Sequence, residues 1–489
     1  MVMDKNFTIL LPLAFLAVTI SALTIPGYGL KLSPTGKHFS TQDGKPFFWQ
    51  ADTSWALFHR LTLNETEAYL EDRASKGYTM ILAVAFTQFG TSSPNREGDL
   101  PFVDLNPTLL NEPYWQKVDT VVEMAWDRNI RIAMIPAWGQ YIHGSDNSPG
   151  SINATNAMKL GQLIGSRYPG LPKILVADTN PWWLNKTEVK ADYASGGVHR
   201  NYSFTDWLPI YDDLAEGLVA GETNSSQGVD PMITIHCTNQ WFEEGPIALA
   251  STQTGYRSWL TFDSSQSGHA DFPPNPPIPW WNARRGYEPV ELMYQGLQRL
   301  PLVDNEAHYE GRYDNGNSSL RVWNATDVLS GASGLTYGHD MVMQGYIPEA
   351  YTTDGSGPAV AFFNAIKAPG AGQMQYIRKV IEDRSSDFFS RIPAQDVLVG
   401  DTGVNDQHVV AARDSGGEYI IVYTPTGKTF SVNTTSLGSK DIRANWYDPT
   451  SGVYTSFSFP AGSGSSINAF TPPSNATHVD WVLVLEMFQ

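Results

Sequence analysis

A short apolar run, Pro301-Leu302-Val303, stops abruptly in Asp304, Asn305 and Glu306, followed by His308, Tyr309 and Glu310. A second run, Lys173-Ile174-Leu175-Val176-Ala177, stops in Asp178, Thr179 and Asn180. Strands that end in carboxylates, amides and imidazoles can present an acid, a base or a nucleophile. Two carboxyl groups on different strand ends suit glycoside hydrolysis. One must be protonated to donate to the leaving oxygen; the other must be ionised to attack the anomeric carbon or to activate water. The plainer readings are a turn or cap role for Asp178 ahead of Pro181, and a salt bridge from Glu306 to Arg312 or Arg321. Of the two nearby glutamates, Glu306 lies three residues past Val303. Glu310 lies four further into the loop, where it is expected to pair with Arg312 or to order the rim.

The elements that must position these groups alternate between strand-like and helix-like segments from about residue 30. Thr62-Leu63-Asn64-Glu65 reads as a capping box opening a helix that runs to Gly77. Strands are expected at 46–51, 78–84, 131–135, 173–177, 231–235, 258–262, 301–303 and 332–337. The near-continuous apolar run at 78–84 is of the kind covered on both faces. Eight strand–helix units over about 360 residues predict a parallel sheet closed into a (β/α)8 TIM barrel. A doubly wound open sheet is the alternative, but no Gly-rich phosphate loop follows the first strand. Beyond a last helix at 375–385, the texture becomes short alternating runs and turn clusters, which predicts a small antiparallel β-sandwich. The expected division is 28–391 for the α/β domain and 392–489 for the sandwich.

In a parallel barrel the site forms at the C-terminal strand ends. Read in order, those ends supply Asp52 and Trp55, Trp138, Asp178 and Asn180, His236, Gln266 and His269, Glu306 and Tyr309, and His339. Asp178 on the fourth strand and Glu306 on the seventh fall on opposite sides of an eight-stranded mouth, as two groups gripping one bond should. Fifteen Trp, 22 Tyr and 22 Phe are mostly core, but some suit a cleft in which flat rings cover sugar faces. The histidines are scattered without H-x-x-x-H or H-E-x-x-H, so no metal or other cofactor is expected, with a metal-dependent hydrolase assembled across strands as a further alternative; no G-x-S-x-G elbow marks a Ser–His–Asp hydrolase.

The net charge of −18, with no basic run, argues against nucleic acid and anionic membranes as partners. The first residues carry Lys5, an apolar run from about Phe7 and small residues at Ser21 and Ala22, the pattern of a secretory signal peptide over 1–22. Cys237 is alone, which rules out an intrachain disulfide and leaves a small buried side chain. N-x-S/T triplets at Asn64, Asn153, Asn185, Asn201, Asn224, Asn317, Asn324, Asn433 and Asn475 suit a secreted, extracellular glycoprotein.

Residues 44–86, with ILVADTN, SQSGH, PLVDNEAHYEG and SGLTYGHD, resemble the apiosidase-like glycoside hydrolase family. The resemblance spans about 30–370, and residues 395–487 resemble the β-sandwich labelled a collagen-binding domain. It implies a secreted, retaining (β/α)8 glycosidase acting on plant cell-wall polysaccharide, with apiose release from a pectin side chain as the family's activity. By position in the motifs, Asp178 becomes the acid/base and Glu306 the nucleophile. Asn180, His236, Gln266, His269, Tyr309 and His339 become subsite residues, beside Asp52, Trp55 and Trp138 at the other strand ends. Members often carry glycines and an Arg around the acid, where this chain reads Val176-Ala177-Asp178-Thr179-Asn180. A different class of protein, a non-catalytic carbohydrate- or matrix-binding chain on a degenerate barrel, is the alternative.

Overall fold

The computed structural model describes residues 22–489 except 87–90, 145–149, 185–202, 226–227, 239–248, 269–286, 297, 299, 313–315, 354, 356, 385–387, 439–440, 460–465, 474–479 and 488–489. The expected signal peptide lies almost wholly outside these. Thr62 opens the helix Leu63–Ser75 as anticipated. Its hydroxyl accepts from the Glu65 N–H at 3.3 Å, and the Glu65 carboxylate accepts from the Thr62 N–H at 2.8 Å. The helix leads into the strand Met80–Val84, buried at every residue, as a strand sandwiched between helices must be.

Six parallel strands form one continuous ladder. In spatial order they are Ile233–Thr234, Lys173–Ile174, Arg131–Ile135, Met80–Val84, Trp49–Thr53 and Gly334–Tyr337. A separate parallel pair, Asp263–Ser265 with Leu302–Asp304, completes the set. The expected eight-strand ladder is therefore found only in part, and hydroxyl groups explain why. On one side Thr261 N–H donates to the Ile233 carbonyl at 2.9 Å, but the Ile233 N–H turns to the Thr261 hydroxyl at 2.6 Å. On the other, Ser333 N–H reaches the Leu302 carbonyl at 2.8 Å, and the Leu302 N–H meets the Ser333 hydroxyl. Side-chain oxygens thus take bonds that a regular ladder gives to backbone carbonyls.

The sixth strand also sits later than expected, at Asp263–Ser265 instead of 258–262. The side chains of Asp263 and Ser264 are buried because both find partners. The Asp263 carboxylate accepts from the Ser251 N–H at 2.9 Å, and the Ser264 hydroxyl meets that of Thr234 at 3.1 Å. Cys237 is buried and free of any disulfide, as its isolation requires. Asn324 is 1% exposed and donates to the Leu320 carbonyl, which closes its glycosylation triplet in the folded chain. Asn64, Asn153 and Asn224 are exposed.

The C-terminal residues build two antiparallel sheets. One has six strands in the order Arg391–Pro393, Val410–Asp414, Tyr419–Thr424, Trp481–Met487, Ile442–Asp448 and Val453–Phe457. The other has three, Leu398–Val399, Phe430–Asn433 and Ile467–Phe470. Val422, Trp446 and Leu485 of the first pack with Val432 and Phe470 of the second in a shared core. The opposite face of the six-stranded sheet is buried too. Ile421, Tyr423, Tyr447 and Val484 join Leu320, Val328, Met374 and Ile377 of the helices Asn317–Leu329 and Pro369–Glu382 in one apolar cluster. At its edge the Arg321 guanidinium holds Asp480 by hydrogen bonds at 2.6, 2.9 and 3.3 Å, and donates to Gln373 at 2.6 Å. The two parts of the chain thus share a core.

Candidate active site

The strand Leu302–Asp304 aims Asp304 inward and the chain then delivers Glu306 to the strand mouth. The Asp304 carboxylate accepts from the Glu306 N–H at 3.2 Å, from the Ser267 N–H at 3.1 Å and from the Ser267 hydroxyl. It therefore ties the end of the seventh strand to the end of the sixth. Asp327, on the helix Asn317–Leu329, is buried beside it. Burial raises both carboxyls, and Asp327 furthest, because the neighbouring Asp304 carboxylate adds to it. Asp304, Ser267 and Asp327 did not stand out in the sequence as parts of the site. The spacing of Asp304 two residues before Glu306 was the one signal available.

Glu306 is 3% exposed, and both of its oxygens are engaged. Gln266 Nε2 donates to Oε1 at 2.6 Å, and the Tyr309 hydroxyl donates to Oε2 at 2.8 Å. His236 Nε2 stands 3.4 Å from Oε2. Burial lowers the His236 pKa, but hydrogen bonding and charge from Glu306, with a further contribution from Asp178, outweigh it and leave the imidazole above its ordinary value. Such charge-assisted bonds hold a carboxylate ionised and fix its lone pairs. Tyr309 gets close enough because residue 338 is glycine: a Cβ there would lie 2.3 Å from the Tyr309 ring.

Trp55 forms the wall between these groups. Its ring lies edge-on to Trp138 at 4.7 Å, to His236 at 5.8 Å and to Tyr309 at 6.3 Å. Asp178 closes the other side. Ala137–Trp138 runs parallel to Val176–Ala177, with Trp138 opposite Ala177, so Trp138 and Asp178 leave the sheet as neighbours. Asp178 is exposed and its φ is +56°, a left-handed conformation that costs most residues energy but that aspartate tolerates best after glycine and asparagine. Asn180 follows, its amide donating to the Thr238 carbonyl and hydroxyl at 3.3 Å. Trp55 Nε1, Asn180 Oδ1 and His236 Nδ1 are buried and without a hydrogen-bond partner among the described residues.

A family model described as the apiosidase-like catalytic domain matches residues 33–387. The chain belongs to the apiosidase-like family. It is a glycoside hydrolase. A second model, described as the collagen-binding domain of a collagenase, matches residues 392–486. Two solved structures share the fold of this apiosidase-like hydrolase. One, called a glycoside hydrolase, is 22% identical, with a TM-score of 0.77 over 94% of this chain and 97% of its own. The other is a glycoside hydrolase of family 5 from Bacteroides vulgatus, 23% identical, also with a TM-score of 0.77, over 94% of this chain and 93% of its own. No curated protein matches the chain.

The apiosidase-like hydrolase thus brings Glu306, Gln266, Tyr309, His236, Trp55 and Trp138 together, with Asp178 and Asn180 on the adjoining loop. Two residues expected at the mouth sit elsewhere. Asp52 is 0% exposed, taken by the Arg73 guanidinium and by the Tyr69 hydroxyl at 2.6 Å, because the strand continues past it to Thr53. Its carboxylate ties the sheet to the helix Leu63–Ser75. His339 caps the short helix Asp340–Met343, its Nδ1 accepting from the Met341 N–H at 3.1 Å. Burial, helped by the charge of Arg73, holds that imidazole down to about 4. His269 lies outside the described residues. Glu310 does not pair with Arg312: it accepts from the Tyr337 hydroxyl at 2.7 Å and the Gly370 N–H at 3.2 Å, while Arg312 pairs with Asp340 at 2.8 Å.

Proposed function

We propose that the protein is a secreted, retaining glycoside hydrolase that cleaves pectic polysaccharide of plant cell walls, on eight strands closed into a (β/α)8 barrel. Glu306 is the nucleophile and Asp178 the general acid and base. The observation that carries the reading is the setting of Glu306: buried and held by Gln266, Tyr309 and His236 at the mouth of a strand. A carboxylate so held attacks the anomeric carbon along one fixed direction and is stabilised as its charge is lost and regained. Asp178 is in the contrasting environment, open to solvent, where a proton can be given to the leaving oxygen and taken later from water. The unpartnered polar atoms of Trp55, Asn180 and His236 support a sugar ring as the group that satisfies them, since leaving each unmet costs about 1–3 kcal/mol. The sandwich is a packing layer of the enzyme; its buried face supports that role over a freely presented binding module.

Asp178→Ala tests the assignment of the acid. Removing it should lower hydrolysis of pectic polysaccharide by roughly 10²–10⁴-fold while sparing aryl glycosides with a good leaving group in their first step. Added azide should restore turnover of those aryl glycosides and give a glycosyl azide of unchanged anomeric configuration. An equal loss on both kinds of substrate, with no azide product, would overturn it. Tyr309→Phe removes one hydrogen bond to a charged group, about 1.5–3 kcal/mol, so kcat should fall roughly 10–100-fold with KM nearly unchanged. Steady-state kinetics reads both.

A further inference from the structure

We propose that Trp182, backed by Phe204, is a stacking platform for a sugar ring on the leaving-group side of the scissile bond, so the substrate's leaving group is itself a carbohydrate chain. The inference rests on the hydrolase reading above with Asp178 as its acid. Four residues after Asp178 the chain enters the hairpin Trp182–Leu184 with Phe204–Asp206. Trp182 stands opposite Asp206, and Phe204 is its diagonal neighbour on the same face. The two rings are stacked nearly parallel, with centroids 3.9 Å apart and an interplanar angle of 11°. Phe204 thus covers one face of the indole, yet Trp182 remains 37% exposed, the sole tryptophan among the exposed large apolar side chains of the described residues. A tryptophan stiffened from behind and bare in front is a poor core residue and a good flat surface for the apolar face of a pyranose or furanose.

The platform is held close to the acid. At the foot of the hairpin the Trp207 N–H donates to the Pro181 carbonyl at 2.7 Å, and Trp207 packs against the main core. His143 lies 6.3 Å from the Trp207 ring and meets the Thr179 hydroxyl at 2.9 Å. Thr179, in turn, packs so tightly on residue 139 that only glycine fits: a Cβ there would lie 2.6 Å from the Thr179 Cβ. With three residues between, Trp182 and Asp178 are at most about 14 Å apart along the chain. The acid protonates the oxygen of the leaving group, so a ring surface on the acid's own loop meets the leaving sugars. The sugar being transferred sits across the mouth against Glu306 and Trp55.

The test compares Trp182→Ala, Trp182→Phe and wild type on the wall polysaccharide and on an aryl glycoside of the sugar it releases. Wild-type turnover of both substrates is the control for the underlying reading; its absence on both would sink that reading, and this one with it. Given turnover, Trp182→Ala should raise KM for the polysaccharide at least roughly tenfold more than for the aryl glycoside, with Trp182→Phe recovering most of the difference. An equal effect of Trp182→Ala on both substrates, in a variant with the wild-type melting temperature, would overturn the platform and leave the hydrolase reading standing. Should Trp182→Ala fold poorly, binding of the polysaccharide's oligosaccharide fragments to Trp182→Phe and Trp182→Leu, each in a Glu306→Gln background, replaces it. Weaker binding by Leu than by Phe supports the platform, and equal binding overturns it.

Discussion

Glu306→Gln is expected to lower release of reducing sugar from pectic polysaccharide by roughly 10⁴-fold or more, about 5.5 kcal/mol of transition-state stabilisation. The substitution keeps shape and volume but removes the charge proposed to attack the anomeric carbon. It should be structurally mild. Gln266 can still donate to the remaining oxygen of the side chain, and the new amide can donate to the Tyr309 hydroxyl in place of the bond it now receives. The loss therefore belongs to the chemistry and not to the fold, which thermal unfolding of the purified variant checks. A variant with near-normal activity would remove Glu306 from the reaction and shift attention to Asp178 or to a carboxylate elsewhere.

The second large effect is on stability and lies far from the site. Asp480→Ala should cost about 3–5 kcal/mol, because it leaves the Arg321 guanidinium buried without its counter-charge. Arg321 is 3% exposed, and Asp480 also accepts from the Tyr423 hydroxyl at 2.9 Å, so one truncation strands two groups. The melting temperature should fall by about 3–5 °C. Replacing both partners, Arg321→Met with Asp480→Leu, should recover much of that loss, since apolar side chains of similar volume suit a site already lined by a continuous core. If Asp480→Ala melts with the wild type, the sandwich is a loosely attached module and not a structural layer of the enzyme.

Much of the scaffold was legible because its signals are local. The apolar run at Arg131–Ile135 and the capping box at Thr62 need no distant partner to be recognised. The sixth strand was not legible. Trp259, Leu260 and Phe262 are buried as expected, but in a turn, while the polar Asp263-Ser264-Ser265 forms the strand. Partners 12 to 30 residues away satisfy Asp263 and Ser264, and no window along the chain reveals them. Asp52 misled for the same reason: an acid after an apolar run looks like a strand end until the arginine 21 residues on is folded against it. In the site, Glu306, Gln266, Tyr309 and His236 could be picked from strand ends and family motifs. Their mutual bonds, and the Asp304 carboxylate beneath them, belong to the tertiary structure alone.

In the proposed mechanism Glu306 forms a bond to the sugar and Asp178 later helps water to break it. Asp178→Ala should let that covalent intermediate accumulate, because the step it slows is release. The enzyme variant is mixed with an activated aryl glycoside, quenched in acid, digested and weighed by peptide mass spectrometry. An added glycosyl mass is expected on the peptide that contains Pro301 to Arg312, with fragmentation placing it on Glu306. An adduct on a different carboxylate, or no adduct together with a product of inverted anomeric configuration, would contradict it.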